Sequence, residues 1–242
     1  MRRSGARPPI YDTISGMRAL LGVTIVVAAA GLLAAKDPPD VERLNRATVV
    51  FREAMDTPDK SIPQGLLDKA QCVVVIPGLK KGAFIFGARY GRGFVVCRAT
   101  EGPGWSAPAA VRIEGGSFGL QLGGAETDVI MLVMNQRGAD RLLSSKFTLG
   151  GEAAVAGGPV GREAAAQTDA YMTAEILYWS RSRGAFAGLS LSGATLRQDL
   201  GVNRALYGKT LENREIIQGK VKAPAAAAEF LAALNKYSSR KG

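Results

Sequence analysis

The side chains that most often carry proton transfer, nucleophilic attack or metal ligation are scarce in this sequence. Histidine is absent from all 242 residues, which excludes Ser-His-Asp and Cys-His machinery, His-bearing zinc sites and the usual proton carrier near neutral pH. Cys72 and Cys97 are the two cysteines, too few for a four-thiolate metal site and enough for one bridge. Gly208-Lys209-Thr210 ends like a phosphate-binding loop, but the position five before Gly208, where that loop needs glycine, is Asn203. Gly87, Gly91 and Gly93 mimic a dinucleotide loop without the crossover helix that must follow it, and the run Gly188 to Gly193 around Ser190 puts its second glycine one place too far for a nucleophile elbow. Glu114, Asp128, Glu152, Glu163, Asp169 and Glu175 could supply acid pairs, but nothing in their spacing selects two. The expectation is a non-enzymatic protein with no cofactor and no metal.

Basic residues are plentiful: 31 Lys and Arg stand against 21 Asp and Glu, a net charge of +10. Such a surplus favours an anionic partner, nucleic acid or acidic lipid, although exported basic proteins also carry it for solubility alone. Six cations stand out by position. Lys80, Lys81, Arg89, Arg92, Arg181 and Arg183 fall where the pattern predicts hairpin turns, and flexible cations on turns can offer several donors to phosphate oxygens. If those turns share one end of a sheet they form one lipid-binding surface; the plain alternative is that charges sit on turns because turns are wet. The aromatics Phe118, Tyr171, Tyr178, Trp179 and Phe186 are scattered through apolar runs rather than interleaved with the cations, so no base-stacking platform and no nucleic acid are expected.

The elements that must position these residues follow from periodicity. Hydrophobic residues make up 47% and charged residues 21%, a globular composition with enough chain for a real core. After Asp37-Pro38-Pro39-Asp40, the apolar positions Val41, Leu44, Phe51 and Met55 recur at three- and four-residue steps and predict a helix over 39–55. A shorter helix opens after Ser61. From Cys72 the period shortens to that of strands: 72–77, 82–91 and 93–100 read as an antiparallel meander with turns at Pro77–Gly82 and Gly91–Gly93. Further strands are predicted at 109–113, 117–122 and 128–134, a helix capped by Asn135, a strand pair about Arg183-Gly184, and a final helix from Pro224. The 30 glycines suit a sheet with tight turns and close backbone approaches. The fold class is α+β, an antiparallel glycine-rich sheet curled on its core with helices at both ends of the chain. Cys72 and Cys97 end strands flanking the central run, where pairing could join them in an oxidising compartment; two separate buried thiols fit equally well.

Residues 19–35 form an uncharged run preceded by Arg2, Arg3, Arg7 and Arg18, with Asp12 to offset them. This reads as a signal peptide or a membrane anchor, and either sends residues 36–242 out of the cytoplasm, to the periplasm or tethered to the outer face of the inner membrane. Without the four arginines and one aspartate of 1–35, the body keeps a net charge of +7. It reads as a single domain, 36–242.

Several words of the sequence occur together in one known order. Ile76-Pro77, Gly91–Gly93, Trp105-Ser106-Ala107-Pro108, Gly119 to Gly123, Leu149-Gly150, Gly157 to Arg162, Tyr178 to Gly184, Phe186-Ala187-Gly188 and Tyr207-Gly208 resemble the SYLF-domain lipid-binding family over roughly Val41 to Gly208. The resemblance implies a non-enzymatic domain that binds membrane lipid, with phosphoinositides preferred by eukaryotic relatives, some of which act on actin, and with exported envelope proteins among bacterial relatives. Two departures qualify it. The lipobox cysteine of lipoprotein members is missing, and no SH3 or lipid-finger module accompanies the domain, so actin is not expected as a partner. The expected function is attachment to acidic phospholipid or phosphoinositide-like headgroups on a membrane surface; the alternative is a structural envelope protein acting through protein–protein assembly.

Overall fold

Helix α1 (Pro39–Asp56) forms where the three- and four-residue steps place it: proline stands in its first turn beside Asp40 and Glu42, and Leu44, Ala47, Phe51 and Ala54 are buried along one stripe. A computed structural model describes residues 37–57, 61–83, 86–118, 123–160, 174–182, 185–186, 190–219 and 221–238. The leader or anchor expected in 1–35 and Arg183, expected on a turn, lie outside the described residues, and among the described residues no helix is long and apolar enough to cross a membrane. After α1 come α2 (Gln64–Lys69), β1 (Cys72–Ala83), β2 (Phe86–Cys97), β3 (Ala109–Phe118), β4 (Gly123–Val133), α3 (Gln136–Leu142), β5 (Lys146–Thr148) and β6 (Val155–Gly157). The chain continues through β7 (Ile176–Ser182), β8 (Ala185–Phe186), β9 (Thr195–Gln198), α4 (Leu200–Tyr207), α5 (Asn213–Gln218) and α6 (Ala228–Tyr237).

Among the described residues the strands make one curled sheet in the order β5-β9-β3-β2-β1-β4-β7-β6, with β8 beside β7. All pairings are antiparallel except β6 with β7. The fold class is therefore the α+β arrangement that the sequence implies. Helices cover both faces. Val73, Val75, Phe94, Val96, Ile130 and Leu132 point to one face, beneath α1, α2 and α6. Val74, Ile76, Val95, Val111, Val129 and Met131 point to the other, beneath α3 and α5. This alternation explains the almost unbroken apolar run at 72–76: a strand buried on both sides has no polar face to show.

The turns at Pro77–Gly82 and Gly91–Gly93 are not where the sequence pattern predicts them. β1 runs through Pro77-Gly78 as a bulge, with register breaks between Val75 and Lys80 against β2 and between Ile76 and Leu79 against β4. Gly78 takes φ +63° there, and its N–H donates to Asp128 Oδ1 at 2.8 Å. The bulge presses β1 onto β2. A Cβ at Gly93 would stand 2.0 Å from the Val75 carbonyl oxygen, and one at Gly91 2.8 Å from Ile76 Cγ2. Those glycines serve close approach inside a strand, and Lys80, Lys81, Arg89 and Arg92 consequently lie in paired strands rather than on turns.

Cys72 and Cys97 are register partners, and their sulfurs are 2.00 Å apart in a cross-strand disulfide. Next to it, buried Arg98 ties the two ends of the domain together. Its guanidinium donates to the Leu67 and Ala70 carbonyls at the end of α2 and to Ser238 O and Oγ after α6, and it lies over the Trp105 ring at 3.8 Å. The helices α4 and α5, which the periodicity did not indicate, depend on local caps: Asp199 accepts from the Val202 N–H at 3.3 Å, and Glu212 with Glu215 forms a capping box.

Candidate functional site

Strand alternation separates the predicted cations. Lys80 faces Tyr90 and Glu126, on the α1 side of the sheet; Lys81, the next residue, faces Arg89 and Ala125 on the other. Arg89 is buried on that second face, where its Nη1 donates to the Ser190 carbonyl oxygen. Arg181 is a strand residue, opposite Asp128, and not a turn residue. Its side chain is 5% exposed, and its Nη1 stands 3.3 Å from Glu53 Oε2 and 3.4 Å from the Val50 carbonyl oxygen, fastening β7 to α1. Arg183 lies outside the described residues. The single turn-borne surface that the sequence suggested is thus not what the described residues form.

A different surface is present, and of the predicted residues Arg92 belongs to it. Arg92 faces Arg112 on β3, Arg112 faces Arg197 on β9, and Arg197 faces Lys146 on β5. Four cations stand in direct register across four neighbouring strands. Like charges facing each other across strands cost a few tenths to about 1 kcal/mol per pair, and this row contains three such pairs. The side chains of Arg92, Arg112 and Arg197 are 41%, 34% and 39% exposed, so water relieves the repulsion without removing it.

Two carboxylates partly compensate the row. Glu114 places Oε1 2.7 Å from Arg112 Nε and Oε2 3.6 Å from Arg197 Nε, yet neither Nε is hydrogen-bonded, so the attraction is Coulombic without the direction of a hydrogen bond. Arg92 gives its Nε–H to the Tyr90 hydroxyl at 2.6 Å and keeps Asp199 Oδ2 at 3.1 Å. Burial opposes the charge on Arg92, but Asp199, Tyr90 and Asp40 outweigh it and hold the guanidinium above its ordinary value. Four cations against two carboxylates leave a surplus of two. The adjacent row, Thr148, Thr195, Glu114, Tyr90, Lys80 and Glu126, mixes signs and so marks the cationic row as a local feature. Tyr90 and Leu200, both among the exposed large apolar residues, flank it, the one beside Arg92 and the other next to Asp199.

Arg112, Arg197 and Lys146 escape sequence reasoning because each is a lone charge in its own stretch. The available signal was alternation: Val111-Arg112-Ile113-Glu114, Leu196-Arg197 and Lys146-Phe147 each put the charge on the face opposite a buried neighbour. An open cleft of about 790 Å³ between α3 and β5 also holds arginines, but Glu175 stands 2.9 Å from Arg141 and 3.7 Å from Arg137, so their charge is met within the protein.

Comparison with known proteins bears on what such a surface serves. Residues 114–237 match the family described as Ysc84, Las17-binding protein actin regulator. The chain is similar to Protein YSC84 of Saccharomyces cerevisiae, 36% identical over 177 residues that make up 72% of this chain and 37% of the relative. It is similar also to LAS seventeen-binding protein 3 of the same yeast, 36% identical over 172 residues, 69% of this chain and 37% of the relative. SH3 domain-containing YSC84-like protein 1 of Rattus norvegicus is 33% identical over 201 residues, 81% of this chain and 58% of the relative. The chain therefore spans between 37% and 58% of the length of these relatives. The expectation that actin is not a partner is overturned, because the family description names an actin regulator and both it and a yeast relative are named for binding Las17. The chain belongs to the Ysc84 family, the SYLF-domain group that its motifs resemble.

Proposed function

We propose that this chain is a non-enzymatic binding domain that attaches to anionic phospholipid headgroups through the row Arg92, Arg112, Arg197 and Lys146. The observation that carries this reading is the register: four cations aligned across four strands with two carboxylates among them. The row is open to solvent, as contact with a bilayer surface requires, and Tyr90 beside it has the apolar body and polar tip that suit a headgroup boundary. Each basic residue close to an acidic bilayer contributes about 1 kcal/mol. Export, with residues 19–35 as signal or anchor to the outer face of the inner membrane, fits the basic N-terminus, and the Cys72–Cys97 bridge suits an oxidising compartment.

The family description favours a second reading, binding to a protein of the actin-regulating machinery. Sedimentation of the chain with protein-free vesicles of phosphatidylcholine, with and without phosphatidylserine, tests the lipid reading. Binding to the acidic vesicles that fades with salt supports it. Indifference to phosphatidylserine refutes it and leaves the protein partner.

A further inference from the structure

Three arginines are buried among the described residues: Arg89, Arg98 and Arg181. Arg98 is surrounded by carbonyl and hydroxyl acceptors and an indole ring, and Arg181 has Glu53. Among the described residues Arg89 has one carbonyl acceptor and no carboxylate. It is 8% exposed, its Nη1 donates to the Ser190 carbonyl, its Nε is buried with no hydrogen-bond partner, and no carboxylate of the described residues lies within ion-pair distance. A guanidinium cannot shed its proton to escape this position, and desolvating a cation without a counter-charge is strongly unfavourable.

The surroundings of Arg89 resemble an anion seat more than a core. Its register partner on β1 is Lys81, which shares its face and adds a second positive charge. Its partner on β3 is Gly115, which puts no side chain beside it; a Cβ there would come 3.4 Å from Arg89 Cγ. Tyr178, half-buried on the same face of the sheet, has its phenol pushed up by burial and drawn back by the Arg89 charge, so the two groups lie within electrostatic reach. With Nη1 engaged by Ser190, the Nε edge of the fork remains, the edge that can make parallel bonds to a tetrahedral oxyanion.

We propose that Arg89, with Lys81 beside it and Tyr178 on the same face, seats a phosphate oxyanion in a second anion site on the side of the sheet opposite the cationic row. The phosphate could come from solution or from a lipid headgroup. Neither site depends on the other: this one rests on a buried cation with no counter-charge among the described residues, the row on exposed register.

The test is thermal melting of the full chain in sodium phosphate against sodium chloride at equal ionic strength. The native chain is expected to gain roughly 3–5 °C from phosphate at about ten times its Kd. Arg89→Met is expected to lose that gain, while Arg112→Gln/Arg197→Gln keeps it. Should Arg89→Met fail to fold, Arg89→Lys keeps the charge without the fork, and 31P line broadening of inorganic phosphate should report binding at least about tenfold weaker than to the native chain. No gain in the native chain, or the same gain after substitution of Arg89, overturns the proposal. Vesicle sedimentation then distinguishes the source: loss of binding in the Arg89 variant assigns a lipid phosphate, and retention assigns free phosphate.

Discussion

Neutralising the middle of the cationic row isolates its contribution to vesicle binding. In Arg112→Gln/Arg197→Gln the row falls from four cations to two, and the surplus over Glu114 and Asp199 falls from two charges to none. At about 1 kcal/mol per basic residue near an acidic surface, the loss is about 2 kcal/mol, a roughly 30-fold weaker Kd near 0.1 M salt. Screening bounds the effect. The Debye length is about 10 Å at 0.1 M, so cations elsewhere on the body contribute little at this patch, and raising the salt to about 0.5 M should shrink the gap between variant and native chain to a few-fold. Stability should change by less than about 1 kcal/mol, since removing facing like charges offsets the loss of the exposed Glu114 contacts. Arg214→Gln, on α5 over the opposite face, should alter vesicle affinity by less than about twofold. The assay is sedimentation with phosphatidylserine-bearing vesicles, with urea unfolding as the check on folding. Native-like binding by the double variant, or a larger loss from Arg214→Gln, would refute the assignment of the row.

Three further outcomes test the frame that holds the two faces. Arg98→Met should lower stability to urea by about 3 kcal/mol, because it removes a charged donor from the carbonyls of Leu67, Ala70 and Ser238 together and leaves only Leu67 and Ser238 with another partner. Gly93→Ala should cost about 3 kcal/mol in the same assay, since its Cβ would fall 2.0 Å from a backbone oxygen that cannot swing aside. Tyr207, whose hydroxyl donates to the Pro108 carbonyl at 2.6 Å, has its phenol pushed well above the ordinary tyrosine value of 10 by burial. The folded state thus holds that proton more tightly than the unfolded chain does, so the stability it contributes is complete below about pH 10 and is lost as pH rises beyond. Tyr207→Phe should lower stability by about 1 kcal/mol at neutral pH and show a shallower alkaline decline; an unchanged decline in circular-dichroism melts would exclude Tyr207 as its source.

The elements were legible in the sequence where local chemistry decides them. The first helix announces itself by period and by its proline-acid entry, and the helix after Asn135 by its cap, whose side chain accepts from the Gly138 N–H at 2.8 Å. What could not be read is long-range register. Arg112 and Arg197 are 85 positions apart and share a row only because β9 returns to pair with β3. Pro77-Gly78 misleads for a related reason: the residues that begin a turn are also those that tolerate a bulge, and only the neighbouring strands determine which forms. Arg181 follows the strand alternation of Leu177 and Trp179, which fixes a shared face for the three but not that α1 brings Glu53 over it.

The segment Arg89-Tyr90-Gly91-Arg92-Gly93 shows how one strand can equip two faces with different tasks. Alternation sends Tyr90 and Arg92 to the exposed row, and Arg89 to the opposite side with Gly91 and Gly93. On that side the bulge of β1 occupies the space that side chains at 91 and 93 would need, which leaves Arg89 the sole charge of the five residues pointing there. Its neighbour Arg92 meets water, the Tyr90 hydroxyl and the Asp199 carboxylate; Arg89 meets a carbonyl and a glycine. The same residue type is therefore placed once where salt screens it and once where salt cannot. Vesicle binding through the row should decline steeply with ionic strength, whereas phosphate held by Arg89 should resist it, since buried charge pairs are screened far less than exposed ones. A phosphate gain in melting temperature that vanished between about 0.1 and 0.5 M sodium chloride would place that anion on the row instead.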